Sequence, residues 1–507
     1  MTKRMSPRTT GIVLTAYALL AAGQQALRLR VPVLKIPFLS LPVIGWALCA
    51  VIFLIGLWLM LRGKAQWNLS PQTVKKLRRF REIRRGYVSF QLLIGIMCLA
   101  ALDSLVVGKR ALMVSYAGHW HFPFATEMIP GTTFGFQDEG ETDYRVLQAR
   151  CRAEAKGDWV CMPLVAYSPS LDTPAIIEEL EVRDGKVYRA GHEALFNGMA
   201  YSVFIAKPSQ KRQEWQFRDG VRHGDMRGYD LNGDLVEKGR YDHGKQVKHE
   251  DFSGGKAAAL DVQGSPGLKT LIYPPSPPNW SQGRFLGTNT GGDDLAAMLF
   301  GGLQISLMAA LLYLTFTFVV GVVVGGALGY FGGWFDLVGQ RFIEVWSVLP
   351  YLFVVMIISS LVSPTPVVLV VIVALFGWME TASFIRTATY KEKERDYVAA
   401  ARLLGASTPR IVFQHVLPNV ISILVTLAPF KVANIIISLA ALDFLGFGLP
   451  PDMPAWGRVL HEGVDNFSAP WIVTSAFTAM ATVLVLVTFV GEAVREAFDP
   501  KKFTTYE

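Results

Sequence analysis

The sequence predicts an all-α, polytopic membrane protein of about eight transmembrane helices with a β-rich insert outside the membrane. Of its 507 residues, 51% are hydrophobic and only 18% are charged, whereas a soluble domain has about 25% charged residues. Several apolar stretches reach the ~20 residues that a helix needs to cross a bilayer. A long polar segment with a repeated turn pattern separates the third apolar stretch from the fourth.

Eight apolar segments are long enough to be considered as membrane spans. They cover about residues 11–27, 41–61, 90–107, 303–330, 345–361, 367–384, 421–442 and 471–490. A cleaved signal peptide is the alternative for the first segment, because Lys3, Arg4 and Arg8 precede a short apolar run that ends in small residues. Both interpretations leave the orientation of the later segments unchanged.

Basic residues set the predicted orientation. Seven Lys and Arg residues lie between positions 75 and 85, just before the third segment, and the positive-inside rule assigns that end to the cytoplasm. Alternation then puts residues 108–302 outside and residues 387–419 inside. The net charge of +8 reflects this topology. The basic residues do not interleave with aromatic residues in a stripe, so we expect membrane lipid and no nucleic acid as a partner.

The chain divides into four predicted parts. They are an N-terminal extension with two apolar segments (1–74), a basic segment with the next span (75–108), a periplasmic insert (109–285) and a five-helix core (286–507). Within the insert, Phe217, Tyr229 and Tyr241 are twelve residues apart, and each precedes a glycine-containing turn. This spacing predicts short strands joined by tight turns, and it resembles the MORN-like β-hairpin repeats.

Cysteine and histidine residues of the insert are candidates for a disulfide bond and for metal binding. Cys151 and Cys161 would lie in an oxidising compartment, which permits a disulfide bond between them. The outside histidines are His119, His121, His192, His223, His243 and His249. Because they lack the spacing of metal ligands, no metal site is predicted.

Residues 388–419, between the sixth and seventh segments, predict two short helices joined by a tight turn. Tyr397, Ala401 and Leu404 are spaced to share one face of the first helix, and Gly405 is suited to end it. Such a helix pair, held by spans on both sides, is suited to dock into a groove on a partner protein. An amphipathic loop that lies on the lipid surface is the alternative.

The second helix of this loop has start and stop signals of its own. Thr408 followed by Pro409 predicts the N-cap and first turn. Leu417 and Pro418 are expected to end the helix.

The loop resembles the EAA loop of ABC importer permeases. The match is carried by Ala400, Ala401, Gly405, Leu417 and Pro418. Ala399 departs from the family by standing where a Glu is usual, and His415 is typical of the peptide/nickel branch. The resemblance implies a helix that couples to an ATPase. The coupling residues that it implies are Asp396, Tyr397, Ala400, Ala401, Leu404, Gly405, Ile411, His415, Leu417 and Pro418.

Further motifs resemble the peptide/nickel branch, and within it the Yej-type peptide permeases. They lie at 286–288, 329–333, 341–347, 443–450 and 491–500. The resemblance covers residues 273–503 closely and about 75–123 loosely, and it leaves out the first two segments and the insert. It implies a type I importer permease core in the bacterial inner membrane. It also implies a second homologous permease, two ATPase subunits and a periplasmic substrate-binding protein as partners.

The phosphate-binding pattern Gly-x-x-x-x-Gly-Lys-Ser/Thr does not occur in the sequence. We therefore expect a non-enzymatic permease subunit without catalytic residues or a directly bound cofactor, while ATP and Mg²⁺ belong to partner ATPases. The expected cargo is a peptide or peptide-like compound. The alternative from another class is a membrane sensor whose insert binds a ligand.

Two ionisable residues lie inside predicted spans. Glu380 belongs to the sixth segment and Lys431 to the seventh, where an unpaired charge costs at least about 2.5 kcal/mol. The two segments run in opposite directions. Glu380 lies roughly eight residues from the cytoplasmic end of its segment and Lys431 roughly twelve from that of its own, so at ~1.5 Å per residue the depths of the two side chains differ by only ~6 Å. The sequence predicts that they pair or jointly line a polar pathway. Separate contacts with water or backbone carbonyls are the alternative.

Overall fold

The computed structural model separates into two compact units. It describes residues 14–19, 21, 54, 57, 71–102, 105–126, 128–136, 139–154, 157–174, 176–189, 193–204, 210–230, 232–252, 268–362 and 365–498. The first unit is Met1–Asp172 with Pro277–Glu507, and the second is Thr173–Ser276. Most of the predicted segments 11–27 and 41–61 lies outside the described residues.

Helices dominate the first unit. They are α1 (Pro71–Glu82), α2 (Arg84–Ala101), α3 (Tyr144–Glu154), α4 (Leu295–Phe331), α5 (Gly333–Val348), α6 (Tyr351–Leu361), α7 (Pro366–Lys393), α8 (Asp396–Leu403), α9 (Thr408–Ile411), α10 (Leu417–Phe444), α11 (Trp456–Asp465) and α12 (Pro470–Phe498).

Four helices among the described residues are long and apolar enough to cross a membrane. They are α4, α7, α12 and the helical stretch Gln414–Phe444, which contains α10. Two bent pairs raise this number to six if each pair is one span: α1 with α2, bent by 95°, and α5 with α6, bent by 72°. The predicted segments 303–330, 367–384, 421–442 and 471–490 lie within the four long helices.

The fifth predicted segment, 345–361, is not one continuous helix. It is broken between α5 and α6, where Leu349 adopts an extended conformation with ψ 127°. Pro350 follows Leu349, and a proline disfavours helical geometry at the residue before it. The third segment, predicted at 90–107, also differs, because α2 begins at Arg84 and ends at Ala101.

Helices α4 and α7 approach each other closely through glycines. Gly321, Gly325 and Gly329 recur every fourth residue on α4 and face α7. A Cβ atom on Gly325 would lie 2.3 Å from the carbonyl oxygen of Ala382, and one on Gly329 would lie 2.5 Å from that of Arg386. Small residues at this spacing let two helix backbones pack directly against each other.

Helix α10 lies between two hydrophobic clusters. Ile435 packs with Leu369 of α7 in one cluster, to which α4 and α6 also contribute. Its neighbour Ile436 packs with Leu295 and Ile472 in the other, to which α11 and α12 contribute. Because consecutive residues of a helix point in different directions, α10 joins the two halves of the helical core.

The first unit also contains a small antiparallel sheet. Its strands are β1 (Met113–Tyr116), β2 (His119–His121) and β3 (Trp159–Cys161), in the order β2-β1-β3. Phe134, Tyr144 and Leu147 are buried with residues of β1 and β3. Part of the predicted insert 109–285 thus folds within the first unit.

The second unit is an eight-stranded antiparallel sheet in the order β10-β9-β8-β7-β6-β11-β4-β5. The strands are β4 (Ile176–Arg183), β5 (Lys186–Arg189), β6 (Gly198–Val203), β7 (Lys211–Arg218), β8 (Val221–Tyr229), β9 (Leu235–Asp242), β10 (Lys245–Asp251) and β11 (Lys269–Ile272). The turn Asp219–Gly220 has positive φ at both residues (49° and 73°), as tight hairpins require. Phe217 and Tyr229 lie near the ends of their strands, so the repeat does consist of strands and turns.

The glycine contact between α4 and α7 leads to a first prediction. Gly325→Ala should lower the free energy of unfolding by about 1–3 kcal/mol, because its methyl group would force the two backbones apart. Thermal unfolding of the detergent-solubilised protein measures the effect. Gly326→Ala is the matched control, since a Cβ atom there has no neighbour within 4 Å among the residues that the structure describes. Equal losses in the two variants would contradict the close approach.

Candidate functional site

The loop 388–419 is anchored to the helical core by a small apolar cluster. Val398 and Ala401 of α8 are buried with Ile385 of α7, Ile411 of α9 and Val416. The burial of apolar area in this cluster fixes α8 against the end of α7. The cluster therefore holds the loop in a defined position.

The end of α8 exposes two leucines. Leu403 is 89% exposed and Leu404 is 87% exposed, whereas Ala401 lies in the buried cluster. The prediction that Leu404 shares a face with Ala401 is wrong, because α8 ends at Leu403 and Leu404 already lies in the turn. Asp396 and Ala400 are exposed as well. This end of the loop presents an apolar tip.

The turn after α8 has the geometry that Gly405 predicts. Gly405 has φ +78°, and the Ala406 N–H donates to the Ala401 carbonyl at 3.1 Å. This bond and the left-handed glycine are characteristic of a helix C-terminus. A Cβ atom at Gly405 would have no neighbour within 4 Å in the described part of the chain. Only the backbone conformation favours glycine here.

The second half of the loop does not end where the sequence predicts. After α9 the chain forms one π-helical stretch, Val412–Val416, and continues directly into α10. Leu417 and Pro418 thus begin a long helix and do not end a short one. A proline is tolerated in a first helical turn because its missing N–H is not needed there. The N-cap of α9 is Ser407 and not the predicted Thr408. The Ser407 carbonyl accepts the first bond of the helix, from the Ile411 N–H at 3.0 Å, and an N-cap residue is defined by such a bond.

Tyr397 connects three parts of the loop through its hydroxyl group. The hydroxyl donates to Glu392 Oε2 at 2.6 Å and accepts from Asn419 Nδ2 at 2.8 Å. Asn419 Nδ2 also donates to the His415 carbonyl at 3.0 Å. Burial raises the pKa of Tyr397, and the hydrogen bond to Glu392 raises it further. The group thus stays protonated at neutral pH and joins α7, α8 and α10.

The sequence identified Tyr397 and His415 but missed Glu392 and Asn419. Asn419 lies four residues after His415, which places the two on one helix face. That spacing was the available signal. The position of Glu392 depends on how α8 folds back against α7, and no local pattern encodes it.

The second predicted site lies between α7 and α10. Lys431 Nζ is 2.5 Å from Glu380 Oε2 and donates to the Gly377 carbonyl at 3.0 Å. The Lys431 side chain is 4% exposed and that of Glu380 is 58% exposed in the isolated chain. The two residues therefore form an ion pair with one buried and one open member.

The predicted disulfide bond is absent, because Cys151 and Cys161 are free thiols. Cys151 is buried on the inner face of α3, in the cluster that includes Val160. Cys161 follows Val160 on β3 and is exposed. Since side chains alternate across a strand, Cys161 points away from the cluster that contains Cys151.

Comparison with known proteins identifies the family. Residues 319–504 match the model described as the binding-protein-dependent transport system inner membrane component. The inner membrane ABC transporter permease protein YejE of Escherichia coli (strain K12) is 43% identical over 435 residues, covering 86% of this chain and 99% of that protein. This chain belongs to the ABC transporter permease family.

Two other ABC permeases are also similar. The peptidoglycan transport system permease protein YejE of Agrobacterium fabrum (strain C58) is 29% identical, covering 87% of this chain and 96% of that protein. The oligopeptide transport system permease protein OppC of Mycobacterium tuberculosis (strain H37Rv) is 33% identical, covering 46% of this chain and 79% of that protein. The resemblance found in the sequence is confirmed, and the chain is a permease subunit of an ABC importer.

The first two relatives extend the resemblance beyond the permease core. Since 86% of this chain aligns with the first relative and Thr173–Ser276 makes up about a fifth of the chain, part of the β unit must be aligned. The sequence-based statement that the resemblance leaves out the insert is therefore wrong. These matches favour the permease over the sensor alternative, because nearly the whole length of both ABC permeases aligns with this chain.

The hydroxyl network of Tyr397 leads to a second prediction. Tyr397→Phe should cost about 1 kcal/mol of stability and speed amide hydrogen exchange within residues 396–416, because the loop loses its link to Glu392 and Asn419. Hydrogen exchange with mass spectrometry measures this. Tyr390→Phe is the control, since the Tyr390 hydroxyl has no hydrogen bond among the described residues. Unchanged exchange in Tyr397→Phe would show that the apolar cluster alone fixes the loop.

The ion pair leads to a third prediction. Glu380→Gln should cost roughly 3 kcal/mol, because it leaves a buried ammonium group without its counter-charge. Lys431→Met should cost less, since the open Glu380 carboxylate can be hydrated. The double variant should lose less than the sum of the two. Thermal unfolding of all four proteins gives the coupling energy. Strictly additive losses would mean that the two residues act independently.

Proposed function

We propose that this permease forms half of the translocation pathway of an ATP-driven importer for peptides or peptide-like compounds. Its proposed partners are a second homologous permease, two ATPase subunits and a periplasmic substrate-binding protein. The proposed location is the bacterial cytoplasmic membrane, with the β-rich parts in the periplasm. The cargo class is supported by relatives that are named for peptidoglycan and oligopeptide transport.

The coupling proposal rests on two exposed leucines at the end of α8, in a loop that the buried apolar cluster holds in place. Leu403 and Leu404 contribute little to the fold of the isolated chain, because they are almost fully exposed. Apolar side chains presented by a short helix are suited to enter a groove on a partner. We assign that groove to the ATPase subunit.

Energy then reaches the pathway through the anchored loop. The chain has no phosphate-binding loop of the usual pattern, so ATP and Mg²⁺ are held by the ATPase subunits. When ATP binding moves those subunits, α8 moves with them, and the buried cluster around Ile385 transmits the movement to α7. The result is a shift in the populations of inward-open and outward-open states.

The Glu380–Lys431 pair is the proposed polar element of the pathway. A charge that faced lipid at this depth would cost at least about 2.5 kcal/mol, yet more than half of the Glu380 side chain is open in the isolated chain. A water-filled pathway beside the second permease subunit removes that cost. Glu380 is therefore assigned to the pathway side of α7.

Gly405 provides the test of the coupling proposal. Gly405→Val should abolish transport and ATPase stimulation by the loaded binding protein, because valine disfavours the left-handed conformation by at least about 1 kcal/mol. Gly405→Asn is the matched control, since asparagine adopts this conformation readily. Both activities are measured with the complete transporter in proteoliposomes.

The expected pattern is loss in the valine variant and near-normal coupling in the asparagine variant, with both variants assembled. Normal ATPase stimulation in Gly405→Val would refute the assignment of this loop to coupling. Equal loss in the two variants would mean that the side chain, and not the backbone, disturbs the contact.

A further inference from the structure

Two histidines and an aspartate meet at one end of the β unit, beside the turn that joins β9 to β10. Potential ligand atoms of His223, Asp242 and His243 all lie within 4.8 Å of one another. Asp242 Oδ1 is 2.8 Å from His243 Nδ1 and 3.2 Å from His223 Nδ1. The centroids of the two imidazole rings are 5.1 Å apart. One carboxylate oxygen thus lies between two ring nitrogens.

Backbone irregularities bring these side chains together. The pairing of β7 with β8 shifts register between Trp215 and Phe217, and Gly224, which follows His223, has φ +97°. A bulge of this kind re-aims a side chain and is common beside functional sites. His243 has φ +44°, a conformation that non-glycine residues adopt rarely and at a cost. Both histidines are therefore held at unusual backbone positions.

The cluster leaves one buried nitrogen without a hydrogen bond. Among the described residues, His223 Nδ1 is a buried nitrogen without a well-formed hydrogen bond, although Asp242 Oδ1 lies 3.2 Å away. A buried polar atom without a partner costs free energy. A cation between the nitrogen and the carboxylate would satisfy both groups.

We propose that His223, Asp242 and His243 bind a divalent transition-metal cation of the zinc and nickel class. Neutral imidazole nitrogens together with one carboxylate suit Zn²⁺ and Ni²⁺ and do not suit Ca²⁺ or Mg²⁺, which prefer oxygen ligands. Three protein ligands leave at least one position for water or an external ligand. The bound cation connects β8 to the β9–β10 turn, where the Gly244 N–H already donates to the Arg222 carbonyl at 2.8 Å.

The sequence does not reveal this site because its ligands are far apart in the chain. His223 and His243 are separated by twenty residues and become neighbours only through the β8–β9 pairing, in which Gly224 lies opposite Tyr241. The sequence-based expectation of no metal site relied on ligands that are close together in the chain. Antiparallel pairing of strands brings together residues that are far apart in the chain.

Metal titration of the full-length, untagged protein in nanodiscs tests the proposal. After removal of metal with a chelator, isothermal titration with Zn²⁺ alone should give one binding event per chain at this site. His223→Gln, Asp242→Asn and His243→Asn should each weaken Zn²⁺ binding at least tenfold. Asparagine at position 243 tolerates the positive φ, so this variant removes the ligand and keeps the turn.

His249→Gln is the matched control. His249 lies on β10 of the same sheet, with its Nδ1 3.5 Å from Glu237 Oε1 and outside the three-residue cluster, so its variant should bind Zn²⁺ as the unchanged protein does. Equal unfolding temperatures of the metal-free proteins confirm that the variants are folded. The proposal is overturned if the unchanged protein does not bind Zn²⁺, if the three cluster variants bind it undiminished, or if His249→Gln weakens binding as much.

Discussion

The close approach of α4 and α7 determines the geometry of both candidate functional regions, the loop 388–419 and the Glu380–Lys431 pair. Because three glycines of α4 face α7, the two backbones meet with little freedom to rotate. Thr381 and Ala382 are fully buried, and this contact fixes which face of α7 turns towards α4. Glu380 precedes those two residues and projects to a different side, where it reaches Lys431 of α10. The direction of the carboxylate thus follows from a packing contact that involves no charge.

The same helix carries the proposed coupling loop. Ile385 lies one turn beyond Ala382 and belongs to the cluster that holds α8 and α9, while Glu392 near the end of α7 accepts from Tyr397. The loop is therefore attached twice, once by apolar burial and once by hydrogen bonds. The stabilisation from apolar burial does not depend on the direction of the contact, whereas a hydrogen bond requires a narrow range of distances and angles. The combination lets the exposed leucines act as the end of a rigid body and not as a flexible tail.

Much of the fold could be predicted from the sequence, because apolar length and turn residues are local signals. The long spans and the strands around Phe217 and Tyr229 are of this kind. The break before Pro350 was missed because hydropathy averages over a proline. The orientation of Cys161 and the meeting of His223 with His243 depend on strand register, which local patterns do not specify. Glu380 and Lys431 were found because a charge inside an apolar span requires an explanation wherever the span packs.

The difference in exposure between Lys431 and Glu380 has a physical explanation. A lysine that is 4% exposed cannot recover its hydration, so its two acceptors, Glu380 and the Gly377 carbonyl, must replace water. Glu380 has no such constraint, because its open side can remain hydrated while one oxygen neutralises Lys431. The desolvation cost is therefore concentrated on one partner, which is the less expensive arrangement when burying both charges would cost several kcal/mol per ion. It follows that the open carboxylate, and not the lysine, is the group that solvent reaches in the isolated chain, and in the proposed pathway it is the group that a solute or a neighbouring subunit would contact.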